Sequence, residues 1–81
     1  TGWIDRDLAV SELQRAVELA PEDLLSRLYL AEALLDHHRQ RRGEALELLR
    51  DLVRRQPNPD FVVEEEKTLE DARDLLARMG G

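Results

Sequence analysis

The chain contains no cysteine and very few aromatic residues, with one Phe, one Trp and one Tyr among 81 residues. The lack of cysteine excludes disulfides, thiolate metal sites and cysteine nucleophiles. No apolar run approaches the roughly 20 residues that span a bilayer as a helix, so we expect no direct membrane insertion. β-branched residues are scarce outside Val62-Val63, which argues against a sheet. Leucine and alanine must therefore build the core.

Basic residues are also too few to balance the acids, and the formal net charge is -6. A nucleic-acid partner needs a basic surface, so none is expected for this acidic protein. The charge is uneven along the chain: residues 1–36 hold eight acids and three bases, residues 37–55 three and six, and residues 56–81 seven and three. A basic middle segment thus lies between two acidic ones.

Proline and charge divide the chain into four predicted helices. Pro21 and the stretch QPNPD at residues 56–60 interrupt leucine- and alanine-rich segments, because proline cannot donate a backbone hydrogen bond inside a helix. The acids Glu22-Asp23 favour a helix start at that point. The last helix has two candidate starts, at Val62 or at Thr68, and we prefer Val62. The predicted all-α fold has helices at 5–20, 23–37, 44–55 and 62–79, in a single domain.

Two segments of the sequence repeat one another. Residues 9–21 and 45–57 align without gaps at an offset of 36 residues, with identical residues at positions 9/45, 13/49, 17/53 and 21/57. Four identities are weak evidence in a leucine-rich chain, but the matching proline-terminated helix ends favour a helical-hairpin repeat. Pro21 is then a boundary between two units rather than a kink.

The pattern resembles the tetratricopeptide repeat (TPR) family, whose helix pairs recur about every 34 residues. Ala9-x-x-x-Leu13-x-x-Ala16-x-x-x-x-Pro21 matches the family's second helix, and residues 45–57 nearly do. Arg27-x-x-Leu30-Ala31-x-x-Leu34 occupies the frame of the first helix, with Arg27 in place of an aromatic residue and Leu34 in place of a tyrosine. The resemblance implies antiparallel helix hairpins, about one and a half repeats, and a capping helix over residues 60–81.

This register leaves helix one without the first helix of its own repeat. We expect that the chain is a fragment of a longer array, or that another molecule or Trp3-Ile4 covers the bare face of helix one. Small residues such as Ala9 and Ala31 are expected where helix axes approach closely, with Leu13 among the larger residues that fill the gap.

No set of residues in the sequence suggests catalysis or a bound cofactor. His37 and His38 are the only pair with metal-ligand character, but neighbouring residues on a helix point about 100 degrees apart and no third ligand has suitable spacing. We interpret them as a solvated turn. No serine–histidine–acid arrangement, phosphate loop or nucleotide-binding fingerprint is present. The chain is therefore not expected to be an enzyme, and no metal or cofactor is predicted.

The family resemblance implies a concave groove that binds a peptide or a helix of another protein. The residues predicted to face it are Leu25, Leu28, Glu32, Leu35 and Asp36. Alternatively, Leu28 and Leu35 are ordinary core residues. Such a groove would suit an apolar or basic segment, with the two carboxylates selecting charge. The predicted function is a non-catalytic interaction module; the alternative is a structural bundle that homo-oligomerises through the exposed face of helix one.

Overall fold

The computed structural model describes residues 6–80 as four α-helices and two short 3₁₀ turns, with no strand in that range. The helices are α1 (Arg6–Leu19), α2 (Leu24–His37), α3 (Arg42–Val53) and α4 (Val62–Arg78). The 3₁₀ turns are Arg39–Arg41 and Pro59–Phe61. The all-α prediction and the four helices are confirmed, within about two residues at each described end. Residue 5, the predicted start of the first helix, and Trp3-Ile4 lie outside the described residues.

The break between α1 and α2 is a tight turn at Pro21. The Ala20 N–H still donates to the Ala16 carbonyl at 2.9 Å, and the Asp23 N–H closes the turn onto the Ala20 carbonyl at 3.0 Å. Asp23 then caps α2, because its carboxylate accepts from the Leu25 N–H at 3.2 Å. A capping carboxylate satisfies one of the N–H groups that have no partner inside the helix.

α3 begins two residues earlier than the sequence predicts. The 3₁₀ turn Arg39–Arg41 leads directly into it, so Gly43 lies inside the helix. Arg41 donates twice to the Glu44 carboxylate, at 2.8 and 2.9 Å, across this junction. Two charge-assisted hydrogen bonds hold the first turn of α3 in place of a cap.

α4 is continuous from Val62 to Arg78. The alternative start at Thr68 is excluded, since Thr68 is buried within the helix and its hydroxyl donates to the Glu64 carbonyl at 3.1 Å. The preceding turn is fixed by Asn58, whose side chain accepts from the Asp60 N–H at 2.9 Å. The Asn58 N–H in turn donates to the Glu65 carboxylate at 2.6 Å.

α2 is the central helix and packs against α1, α3 and α4, while α3 also packs against α4. The larger core cluster lies between α2, α3 and α4 and consists of Leu24, Leu28, Ala31, Leu49, Leu52, Leu69 and Ala72. The smaller cluster joins α1 to α2 and to the start of α3 and consists of Val10, Leu30, Leu34 and Ala45. Ala31, Ala45 and Ala72 are fully buried, which allows close approach of the helices, as predicted for Ala31.

Among residues 6–80, the outer helix α1 is covered on one side, where its backbone approaches α2. Val10 is buried, and Leu13 and Val17 are partly buried against the same cluster. Leu8 and Leu19 are 53% and 74% exposed. A helix with a single neighbour buries only a narrow stripe of its surface.

Candidate interaction face

The exposed surface of α2 is set by helical periodicity. Residues three and four apart lie on one face of a helix, so Leu24, Leu28, Ala31 and Leu35 share a face, which packs against the larger core cluster. The adjacent face carries Leu25, Tyr29, Glu32 and Asp36, all of them exposed. We call these four residues the outer stripe.

The structure divides the five predicted groove residues between these two faces. Leu25, Glu32 and Asp36 belong to the outer stripe, and Leu25 is 41% exposed. Leu35 is partly buried but still lines a surface cleft. Leu28 is only 3% exposed and belongs to the core, which is the alternative that the sequence left open. Its burial follows from α4, whose Leu69 and Ala72 complete the same cluster.

Tyr29 lies on the outer stripe but is not among the five predicted groove residues. Its side chain is 49% exposed, and it lies four residues after Leu25 and three before Glu32 on the outer stripe. The signal was present in the sequence, because the steps from 25 to 29, 32 and 36 follow the helical repeat. The predicted set instead mixed residues of two adjacent faces.

α4 runs parallel to α2 along one side of the outer stripe. Near the start of both helices, Leu25 and Phe61 line one depression. Near their ends, Leu35 and Leu75 line another. Start therefore meets start and end meets end, so α2 and α4 are parallel. α3 runs antiparallel to α2, because Arg27 near the start of α2 contacts Asp51 near the end of α3. The outer stripe is thus bordered along its length by a second helix.

The depression near the helix ends, which we call the C-terminal cleft, has a volume of about 640 Å³. Its wall on α2 is formed by Glu32, Leu35 and Asp36, and the remaining walls by Arg39, Arg42, Leu75, Arg78 and Met79. Arg42 anchors the end of α4, donating from Nη2 to the Met79 carbonyl at 3.0 Å. The cleft therefore combines apolar side chains with charges of both signs.

The surroundings of Glu32 disfavour the charged form of its carboxyl group. Partial burial raises its pKa, and the nearby carboxylates of Asp36 and Asp71 raise it further, while Arg78 partly offsets them. Like charges disfavour ionisation, and a cation favours it. A cationic group arriving at the Glu32–Asp36–Asp71 cluster would therefore relieve repulsion that exists in the free protein.

The depression near the helix starts, which we call the N-terminal notch, is smaller, at about 340 Å³. Leu25 and Phe61 supply its main apolar surface, and Phe61 is 57% exposed. Its remaining lining residues are Glu22, Asp23, Asn58, Glu64, Glu65 and Thr68. None of the lining residues is basic, so the notch is apolar with an acidic rim.

The described part of the chain gives no support to a metal site or a membrane span. Within residues 6–80 no three histidine, cysteine or acidic side chains are grouped so that they could hold a metal ion. Over the same range no helix has the length and apolar character to cross a bilayer. His37 and His38 stand at the end of α2, where the His38 N–H donates to the Leu34 carbonyl at 2.9 Å.

Comparison with known proteins adds no identification. No family model matches the chain, and no curated protein or solved structure matches it.

Proposed function

We propose that this chain is a non-catalytic protein-interaction module that binds a peptide or a helix of a partner along the outer stripe of α2. The observation that supports the proposal is the run of exposed side chains Leu25, Tyr29, Glu32 and Asp36 beside the parallel helix α4. Apolar side chains at one end and carboxylates at the other form a surface that an amphipathic segment can follow.

The order and direction of the helices support extending the TPR resemblance to a proposed groove. In that interpretation α2 and α3 form one hairpin, α1 is the second helix of the preceding pair, and α4 is the capping helix. The parallel course of α2 and α4 is what two successive units of a helical-hairpin repeat require. The groove is then the surface of α2 beside α4, with Tyr29 in place of Leu28 among its contact residues.

Selection from a displayed peptide library, followed by binding measurements on variants, tests this function. Peptides selected by the 81-residue chain should lose about ten-fold or more in affinity on Tyr29→Ser or on the double charge reversal Glu32→Lys/Asp36→Lys. The matched double reversal Glu12→Lys/Glu18→Lys on α1 makes the same change in net charge and should alter affinity only slightly, through long-range attraction. Circular dichroism should show equal helix content in all variants. Peptides that bind all variants equally well, or the absence of any selected peptide, would contradict the proposal.

One observation favours a second candidate function, homo-oligomerisation through α1. Leu8 and Leu19 are large apolar residues on the outer side of α1, 53% and 74% exposed, and α1 has one neighbour among the described helices. Covering this side with a second copy would bury both leucines. Sedimentation equilibrium tests the idea: association should be concentration-dependent and should be abolished by Leu8→Ser/Leu19→Ser. A monomer at all concentrations would exclude it.

A further inference from the structure

The N-terminal notch carries information about the chemistry of the partner. The only phenylalanine of the chain lies at the surface, 57% exposed, beside Leu25 at 41%. A folded chain with a small core gains free energy by burying such groups, at about 25 cal/mol per Å² of apolar area. An aromatic and a leucine side chain exposed side by side are a common mark of a binding surface.

The rim of the notch is acidic even after nearby positive charges are counted. Its lining carries four carboxylates, on Glu22, Asp23, Glu64 and Glu65. α2 and α4 both begin at the notch, and the N-terminus of each helix is equivalent to about half a positive charge. Arg55 lines a neighbouring depression that shares Glu22, Asn58 and Glu65 with the notch, and it shares Asp51 with Arg27, which leaves one further positive charge. The balance is about two negative charges around an apolar centre.

Two of the four carboxylates are already used within the chain. Asp23 accepts from the Leu25 N–H and from the Ser26 hydroxyl, at 3.2 and 2.7 Å. Glu65 accepts from the Asn58 N–H at 2.6 Å. These bonds fix the shape of the rim. Glu22, which precedes α2, and Glu64, in the first turn of α4, carry the charge that a partner would meet beside Leu25 and Phe61.

We infer that the N-terminal notch is the anchor site for a peptide or helix of another protein in which an apolar side chain is flanked by lysine or arginine. The inference rests on the proposed function and specifies the partner for the same face. The apolar side chain lies between Leu25 and Phe61, and the flanking cations lie against Glu22 and Glu64. Further along the outer stripe, cations would meet the carboxylates of Glu32 and Asp36. An acidic or purely apolar segment does not fit this charge pattern.

Two synthetic peptides test the inference with the intact chain. The first is a fluorescein-labelled 15-residue amphipathic helix of leucine and lysine, and the second is identical except that glutamate replaces every lysine. Fluorescence anisotropy should give at least about ten-fold tighter binding of the lysine peptide. Phe61→Ser should weaken that binding about ten-fold, as loss of a central anchor does. Val63→Ser is the matched control, because Val63 is also exposed, at 75%, but does not line the notch.

Glutamate-to-glutamine variants distinguish binding at the notch from the general attraction of a basic peptide to an acidic protein. Glu22→Gln/Glu64→Gln should weaken lysine-peptide binding several-fold and reduce its salt dependence, whereas Glu12→Gln/Glu18→Gln on α1 should have no effect beyond a small change in long-range attraction. Nitrogen-15 NMR should show the largest shifts at Leu25 and Phe61.

Three results would overturn the inference. The first is an equal loss of lysine-peptide affinity in Glu22→Gln/Glu64→Gln and in Glu12→Gln/Glu18→Gln. The others are an affinity that Phe61→Ser leaves unchanged, and tighter binding of the glutamate peptide than of the lysine peptide. In each case the proposed function would still hold if the peptides selected from the library lose affinity on Tyr29→Ser. The proposed function would instead be contradicted if Tyr29→Ser does not weaken binding of the library peptides while Phe61→Ser still weakens binding of the lysine peptide.

Discussion

The guanidinium of Arg27 connects the α1–α2 turn to Asp51 near the end of α3. Its Nη1 donates to Oδ2 of Asp51 on α3 at 3.3 Å, and its Nε donates to the Pro21 carbonyl at 2.8 Å. The Arg27 side chain is 13% exposed. The same Asp51 oxygen accepts from Nε and Nη2 of Arg55, at 3.2 and 3.1 Å. Arg27 therefore joins the α1–α2 turn to the end of α3.

Removal of Arg27 should destabilise the fold more than removal of any exposed ion pair. We expect Arg27→Ala to lower the free energy of unfolding by about 1 to 2 kcal/mol, because it removes the charged hydrogen bonds to Pro21 and Asp51 together with the packed alkyl stem. Arg50→Ala is the matched control, since Arg50 pairs with Glu47 in the open, and it should cost no more than about 0.5 kcal/mol. Urea denaturation measures both. Equal losses would show that Arg27 acts as an ordinary surface residue.

Ala31 should tolerate no larger side chain. It is fully buried where α2 meets α3 and α4, so Ala31→Leu should cost about 1 to 3 kcal/mol through overpacking. Ala77→Leu provides the same change at an exposed position of α4 and should be nearly neutral. Denaturant unfolding of the two variants gives the comparison. A neutral Ala31→Leu would mean that the three helices do not approach closely at this point.

The Asp23 cap should contribute measurably to stability. Asp23→Ala removes the acceptor for the Leu25 N–H and the Ser26 hydroxyl, and loss of an N-cap typically costs about 1 kcal/mol. Asp23→Asn retains an acceptor oxygen and should recover most of that loss. Thermal unfolding followed by circular dichroism should therefore rank wild type and Asn above Ala. If Asn and Ala behave alike, the charge of Asp23 rather than its hydrogen bond stabilises α2.

The fold was predictable largely because its boundaries are marked by local chemistry. Pro21, Asp23 and the prolines at 57 and 59 act on the backbone next to them, so the helix limits follow from the sequence alone. The early start of α3 was missed because Arg41 and Glu44 replace a conventional cap with side-chain hydrogen bonds. No proline, glycine or capping pattern signals that arrangement.

The outer stripe of α2 was harder to predict because exposure depends on contacts between distant helices. Leu25 and Leu28 have the same side chain and lie three residues apart, yet they differ from 41% to 3% in exposure. The difference arises because α4 brings Leu69 and Ala72 onto one face of α2 and leaves the adjacent face open. Leucine content alone cannot distinguish the two faces, and the packing side of α4 is set by tertiary structure.

Glu32 should make the stability of the protein depend on pH in a characteristic direction. Its pKa in the folded state lies above the value of about 4.5 for an exposed glutamate, through partial burial and the carboxylates of Asp36 and Asp71. The folded state thus binds the proton more tightly than the unfolded state. The stability contributed by this group is lost as pH rises from about 4.5 through the folded-state pKa. Ionised Glu32 therefore destabilises the fold at neutral pH.

Glu32→Gln removes this penalty while keeping the size of the side chain. We expect it to stabilise the protein at pH 7 by up to about 0.5 kcal/mol, the usual limit for an exposed substitution. The gain should shrink as the pH is lowered and disappear below about 4.5, where wild-type Glu32 is protonated in both states. Glu12→Gln on α1, away from Asp36 and Asp71, controls for the loss of one negative charge. The measurement is urea denaturation of all three proteins across this pH range, and a gain that stays constant with pH would contradict the electrostatic origin.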